Sequence, residues 1–187
     1  MRRPVVAVVL SIAVGIVTTW PWAQDPTQVL GARDLEAGDH LWALWLGSVD
    51  GPLIARTTMV GAPEGYTWVI GDPAHVPLFA VGHAVAGSGF GLGLVHALAL
   101  ALAALAAWGW ARHLWPDSPE TAVLAAPIAA AAPGLGMGLV TGMTEAQPLG
   151  LTALALLALH ALARDGGWQR AAACSLAFGL LPWFGAY

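Results

Sequence analysis

The chain has 187 residues, 58% of them hydrophobic and only 10% charged, with a mean hydropathy of +0.70; so little charge cannot cover a soluble domain, and the bilayer is the expected solvent. The seven basic residues are all arginine, the formal net charge is −4, and no basic patch is interleaved with aromatics, so nucleic acid is not an expected partner. The single Cys174 excludes an internal disulfide framework and a cysteine-based zinc site.

Behind Met1-Arg2-Arg3, the stretch 4–22 is almost unbroken apolar sequence. At 1.5 Å per residue it is long enough to cross a hydrocarbon core of about 30 Å. A cleaved signal peptide has the same basic start and apolar run, but Thr19-Trp20-Pro21-Trp22-Ala23 puts proline and bulky tryptophans where a peptidase needs small residues. Those tryptophans suit an interfacial belt, so the reading is an uncleaved first span. Further spans are expected at about 90–110, 122–140, 148–163 and 171–187, which makes the fold class all-α, a polytopic transmembrane helix bundle of about five spans in one membrane domain. Residues 76–89 are apolar but short and glycine-rich, either a separate half-helix or the beginning of the second span.

Arginine placement sets the orientation, because positive residues in short loops stay cytoplasmic. Arg2, Arg3, Arg112, Arg164 and Arg170 all fall on one side, whereas the 23–75 loop carries seven carboxylates against Arg33 and Arg56. The amino terminus is therefore expected in the cytoplasm, and the acidic loop outside.

That external loop is far longer than the 12 to 15 residues beyond which loops are usually functional or disordered. Leu41-Trp42-Ala43-Leu44-Trp45-Leu46 is too apolar to remain solvated and reads as an amphipathic helix lying at the membrane surface. Asp39, after Gly38 and just before this run, falls where it would cap the helix amino terminus. Asp34 and Glu36, spaced D-x-E, offer oxygen ligands to a divalent cation, yet two carboxylates in an acidic loop read as solvated surface, and no cofactor or metal site is expected. The loop leaves through Gly71-Asp72-Pro73-Ala74-His75-Val76-Pro77-Leu78, where two prolines brace His75 at the water–lipid boundary. It is either a rigid polar site or a turn that His75 merely caps. Glu145, in the short turn 141–147, reaches the same external side, as an exposed turn residue or as part of the site. Inside the spans, His83 and His96 read as histidines hydrogen-bonded between helices, and His160, one turn before Arg164, as reaching the cytoplasmic interface.

One helix, a long external loop with Asp39 in its first half, the exit His75-Val76-Pro77-Leu78 and the small-residue link Ala86-Gly87-Ser88-Gly89-Phe90 resemble, in that order, the amino-terminal part of the GT-C class of polytopic glycosyltransferases. The branch it looks like contains the protein O-mannosyltransferases and aminoarabinose transferases, whose loops often carry an early acidic pair and a His-Pro-Pro-Leu or Lys-Pro-Pro-Leu exit. Here His40 stands in place of the second acid and Val76 in place of the first proline, and the resemblance covers Met1 to about Leu105. It implies transfer of a sugar from a polyprenyl-phosphate donor to an acceptor on the non-cytoplasmic face of the bacterial inner (plasma) membrane. Asp39 would then be the general base, with His40, Asp72, His75 and Glu145 positioning donor or acceptor. With no second carboxylate to form a covalent intermediate, inversion is the implied outcome.

Two other classes stay open. A non-enzymatic integral membrane scaffold or subunit would explain the sparse polar inventory, and a transporter would need broken helices in repeated halves, of which only Pro127 and Pro133 give any hint. The ending Pro182-Trp183-Phe184-Gly185-Ala186-Tyr187 has no polar tail. Five spans are fewer than the class normally uses, so further helices of the same or another chain are expected as partners, beside membrane lipid.

Overall fold

The computed structural model describes residues 2–18, 25, 35–58, 64–70, 73–132 and 148–184. Among these residues it is a helical protein with one small ribbon. Helix α1 spans Arg2–Thr18 and α2 Leu35–Asp50. Strands β1 (Ile54–Thr57) and β2 (Tyr66–Val69) pair antiparallel, with Ile54 opposite Val69 and Thr57 opposite Tyr66. Then follow α3 (Val76–Ala86), α4 (Ser88–Leu114), α5 (Pro119–Ala130), α6 (Pro148–Asp165) and α7 (Trp168–Leu180), and a 3₁₀ turn at Leu181–Trp183.

Two of these helices, α4 and α6, are long and apolar enough to cross a membrane. They match the second and fourth expected spans and run a few residues past them. At 17, 12 and 13 residues, α1, α5 and α7 fall short of the roughly 20 residues that a full crossing takes. The end of the third expected span lies outside the described residues, as do the residues after Thr18 in the first.

The ribbon departs from the all-helical expectation. Ile54-Ala55-Arg56-Thr57 and Tyr66-Thr67-Trp68-Val69 are rich in β-branched and aromatic residues, which favour a pleated strand over a helix. The apolar stretch 76–89 resolves into a separate helix. Gly87, at φ 85°, adopts a backbone conformation that side-chain-bearing residues avoid, and it turns α3 back against α4. The two helices cross closely: a Cβ on Gly82 would lie 2.6 Å from the Gly91 Cα, so only glycine at both positions lets the backbones meet.

Helix α4 is the hub, packed against α1, α3, α5 and α6. Its contact with α1 and α5 is built from alanines: Ala7, Ala104 and Ala126 are buried together beside Trp108. Without a hydrophobic drive between helices in lipid, such small residues allow the close van der Waals contact that holds them. Its contact with α6 is parallel. A Cβ on Gly150 would touch Ala103 N at 2.5 Å, the Trp110 indole N–H donates to Ala153 O at 2.9 Å, and the His113 and His160 rings meet edge to face at 4.7 Å.

Parallel packing brings the carboxyl ends of α4 and α6, with Arg112 and Arg164, to one end of the bundle. Asp165 pairs there with Arg164 (2.9 Å) and Arg170 (3.1 Å), and the glycine pair Gly166-Gly167 turns the chain into α7. Helix α7 then runs back to the other end, where Trp183 O accepts from Ala74 N at 2.9 Å. The arginine end and the His75 end are thus at opposite poles. Along α4, His96 stands 18 residues before Leu114, a rise of about 27 Å, close to the thickness of a hydrocarbon core.

Candidate functional site

The pole away from the arginines is built on one apolar cluster. Leu44 and Leu46 of α2, Ile70 after the ribbon, Val76 and Phe79 of α3, and Leu92 and Val95 of α4 are buried together, with Leu41, Trp42 and Trp45 packed against them. Helix α2 is therefore anchored to the rest of the bundle. Its leucines hold it on the α3–α4 hairpin, and Gly47 lets it approach, since a Cβ there would lie 2.9 Å from Val76 Cγ2.

Helix α2 begins at Leu35, whereas a cap at Asp39 would start it at His40. Asp39 thus sits in the second turn and is not an amino-terminal cap. Successive residues on a helix point about 100° apart, and Asp39 and His40 divide accordingly: Asp39 is exposed, while His40 is buried at 9% exposure. The carboxylate stands at the lip of the pole and the imidazole faces inward.

His75 ends the turn before α3 and is 1% exposed. Pro77 in the first turn of α3 needs no amide donor and leaves the backbone of that turn fixed. From above, Phe184 covers the ring, edge to face at 5.0 Å. His75 Nδ1 has no hydrogen-bond partner among the described residues. Burial pushes the His75 imidazole down to about 4 from its ordinary 6.5. The native ring is then neutral at pH 7, and between pH 6.5 and 4 the unfolded chain binds more protons than the native one, so stability falls with acidification. The thermal midpoint in detergent is expected to drop between pH 7 and pH 4.5, and His75→Gln to flatten that slope. Equal slopes in the two proteins would remove His75 as its source.

The third member is His96 on α4. It is 3% exposed, and neither ring nitrogen has a partner among the described residues. Among the described residues the interhelical hydrogen bond expected for it is not made. His83 does make one, its Nδ1 lying 3.0 Å from Ser88 Oγ across the α3–α4 turn, and its ring stacks on Phe79. His40, His75 and His96 are all buried, on three segments, α2, the turn before α3 and α4, that pack against one another.

Of the expected site residues, His40 and His75 are buried on the packed α2 and α3 segments, and Asp39, next to His40 in the chain, lies on the solvent face. Asp72 and Glu145 lie outside the described residues, as does Asp34. Among the described residues no grouping of His, Cys, Asp or Glu is arranged to hold a metal ion. His96 carries no sequence motif; only the packing of α2 and α3 onto α4 selects it. No protein-family model, curated protein or solved structure matches this chain.

Proposed function

We propose that the chain is a membrane glycosyltransferase-like module that moves a sugar from a polyprenyl-phosphate donor to an acceptor at the non-cytoplasmic face. What supports the reading is the pairing, on one helix, of an exposed carboxylate with a buried imidazole, at the pole of the bundle opposite the arginines. That pole lies about one hydrocarbon thickness from the other along α4, which suits a reaction between a lipid-borne phosphate and a water-borne acceptor.

In this reading the amino terminus and the arginine end are cytoplasmic, and α1, α4, α5 with the apolar residues following it, α6 and α7 form five crossings of an inner membrane. Asp39 takes the proton of the acceptor hydroxyl as that oxygen attacks the anomeric carbon. The new carbon–oxygen bond forms as the bond from the anomeric carbon to the lipid phosphate oxygen breaks, and the phosphate leaves with the electron pair. A single base without a covalent intermediate inverts the centre. His40 and His75 position the reactants, with Asp72 and Glu145 assigned to the same face by the sequence alone. The largely exposed surface of α7, with Trp168, Leu176 and Phe178 outward, is left to lipid or to further helices.

The test uses sealed membrane vesicles of both orientations, supplied with labelled polyprenyl-phosphate sugar and an acceptor outside. Transfer is expected only when the face bearing Asp39 is turned to the acceptor. Transfer in neither orientation, with the protein intact, would favour a scaffold or subunit.

A further inference from the structure

The tip of the α3–α4 hairpin holds a contact that sugar transfer does not use. Gly87 N–H donates to His83 O at 2.9 Å, and its positive φ reverses the chain, so that Ser88, the first residue of α4, comes back onto the last turn of α3. There Ser88 Oγ lies 3.0 Å from His83 Nδ1, and both residues are half-buried, within reach from outside. Ser11 and Ser48 supply the contrast. Their hydroxyls donate to the backbone carbonyls of Ala7 (2.7 Å) and Trp45 (2.6 Å), which do not take up a proton. A neutral imidazole does, through the ring nitrogen that carries no hydrogen. The His83 ring is also held in place: it stacks on Phe79, centroids 5.7 Å apart and planes within 13°, and Phe79 is fixed in the core at 0% exposure. An aromatic face at that distance attracts a cation above it, so an imidazolium at His83 is stabilised where it forms.

We propose that Ser88 and His83 form a nucleophile and general-base pair for acyl transfer, acting on the carboxylic ester of a membrane amphiphile. Their separation is that of a serine and the base that activates it, about 2.6–3.2 Å. Ser88 Oγ attacks the ester carbonyl carbon as its proton passes to His83 Nδ1, and the carbonyl electron pair moves onto the oxygen. Because α4 begins at Ser88, the amides of Ser88, Gly89 and Phe90 have no acceptor within the helix and can donate to that oxyanion. The electron pair then returns, the bond to the alkoxide oxygen breaks, and His83 gives its proton to the departing alcohol. Water, deprotonated by the same ring, releases the acid and restores the Ser88 hydroxyl. The substrate class follows from depth. Helix α4 has 27 residues, a rise of about 40 Å, against about 30 Å for the hydrocarbon core and about 40–45 Å with the headgroups. With its arginine end at one boundary of a bilayer, Ser88 emerges on the other side at the level of headgroups and their ester linkages. The outer face of the tip, Val81 and Val85, is apolar and more than half exposed, which suits a tip lying among lipids. This reaction is separate from the transferase reading and does not rest on it.

The experiment uses the full chain in nanodiscs and an alkyl fluorophosphonate, which loses fluoride to a serine oxygen that a neighbouring base activates. Peptide mass spectrometry is expected to find the phosphonyl group on Ser88 and not on Ser11 or Ser48. His83→Gln, which keeps a polar side chain but cannot take the proton, should slow the labelling at least about a hundredfold in a protein that still melts cooperatively. His160→Gln, at the opposite pole, should leave the rate unchanged. Two esters then identify the substrate: p-nitrophenyl palmitate and p-nitrophenyl acetate at equal concentration. Faster acylation of Ser88 by the palmitate, read as added acyl mass and released nitrophenol, is the expected result. Equal or faster acylation by the acetate would overturn the assignment to an amphiphile, and acylation by neither would overturn the ester chemistry. A hydrogen bond that merely ties the turn would leave Ser88 unlabelled in the wild type, and that outcome, or equal labelling rates in wild type and folded His83→Gln, would overturn the pair. If His83→Gln fails to fold, Ser88→Ala decides with the same esters: palmitate hydrolysis at the wild-type rate in that protein would overturn the proposal, and its loss would support it.

Discussion

Asp39→Asn is expected to leave membrane insertion and the thermal midpoint unchanged while lowering sugar transfer at least about a hundredfold, since general-base catalysis is typically worth about 10² to 10⁴ in rate. The position of Asp39 makes the result readable. Were it an amino-terminal cap, replacement by alanine would cost about 1 kcal/mol and asparagine almost nothing. Because α2 begins at Leu35 and Asp39 is exposed in its second turn, neither substitution removes a cap or a buried contact. Asparagine keeps the shape and a side-chain oxygen but cannot take the proton. Asp34→Asn, five residues away, should matter far less in the same assay. Wild-type transfer by the Asp39→Asn protein would end the assignment of the base.

Gly82→Val is expected to be the most damaging single change to the fold, destabilising it by about 1–3 kcal/mol or more. The new Cβ would meet the Gly91 Cα at 2.6 Å and the Gly91 nitrogen at 3.0 Å, and backbone cannot swing aside as a side-chain tip can. Helix α3 would have to lift from α4. Phe79, at 0% exposure between them, would lose its packing, and the turn carrying His75 would move with it. Gly179→Ala supplies the control, since a Cβ there meets nothing within 4 Å and alanine favours the helix. A detergent melt should show a lowered midpoint for Gly82→Val and none for Gly179→Ala. An unchanged midpoint in Gly82→Val would mean that α3 and α4 do not cross at these glycines.

What could be read from residue order and what could not divide along physical lines. The runs that became α4 and α6 were legible because unbroken apolar sequence of that length has few alternatives to a helix in lipid. The helix around Trp42 was legible for its apolar face, yet its start was misplaced: Gly38 and Asp39 look like a cap, while the helix runs through both from Leu35. Local cap chemistry lost to the burial of Leu44 and Leu46, which fixes α2 on the hairpin. The β1–β2 ribbon went unforeseen because two four-residue strands carry little periodic signal within an irregular loop. Of the residues proposed for the site, His40 and His75 stand out by their neighbours in sequence, next to an acid and between prolines. His96 stood in a run of leucine, alanine and glycine with nothing to mark it. Its burial comes from the packing of segments far apart in the chain, which no spacing rule encodes.

The docking of the 3₁₀ turn on the His75 turn sets an order of events in biosynthesis. Ala74 and Trp183 are more than a hundred residues apart, yet they share a hydrogen bond, and Phe184 lies on the His75 ring. At a synthesis rate of about 5–20 residues per second, His75 emerges roughly 5 to 20 seconds before the segment that covers it. For that interval the buried imidazole of the finished protein is an open one. The α3–α4 hairpin can form at once, from residues adjacent in sequence, but the His75 ring is covered only after the chain through Phe184 has been made and has packed back. The covering of His75 therefore reports that α7 has docked, and a misplaced α7 would leave the other helices in place and the His75 ring open.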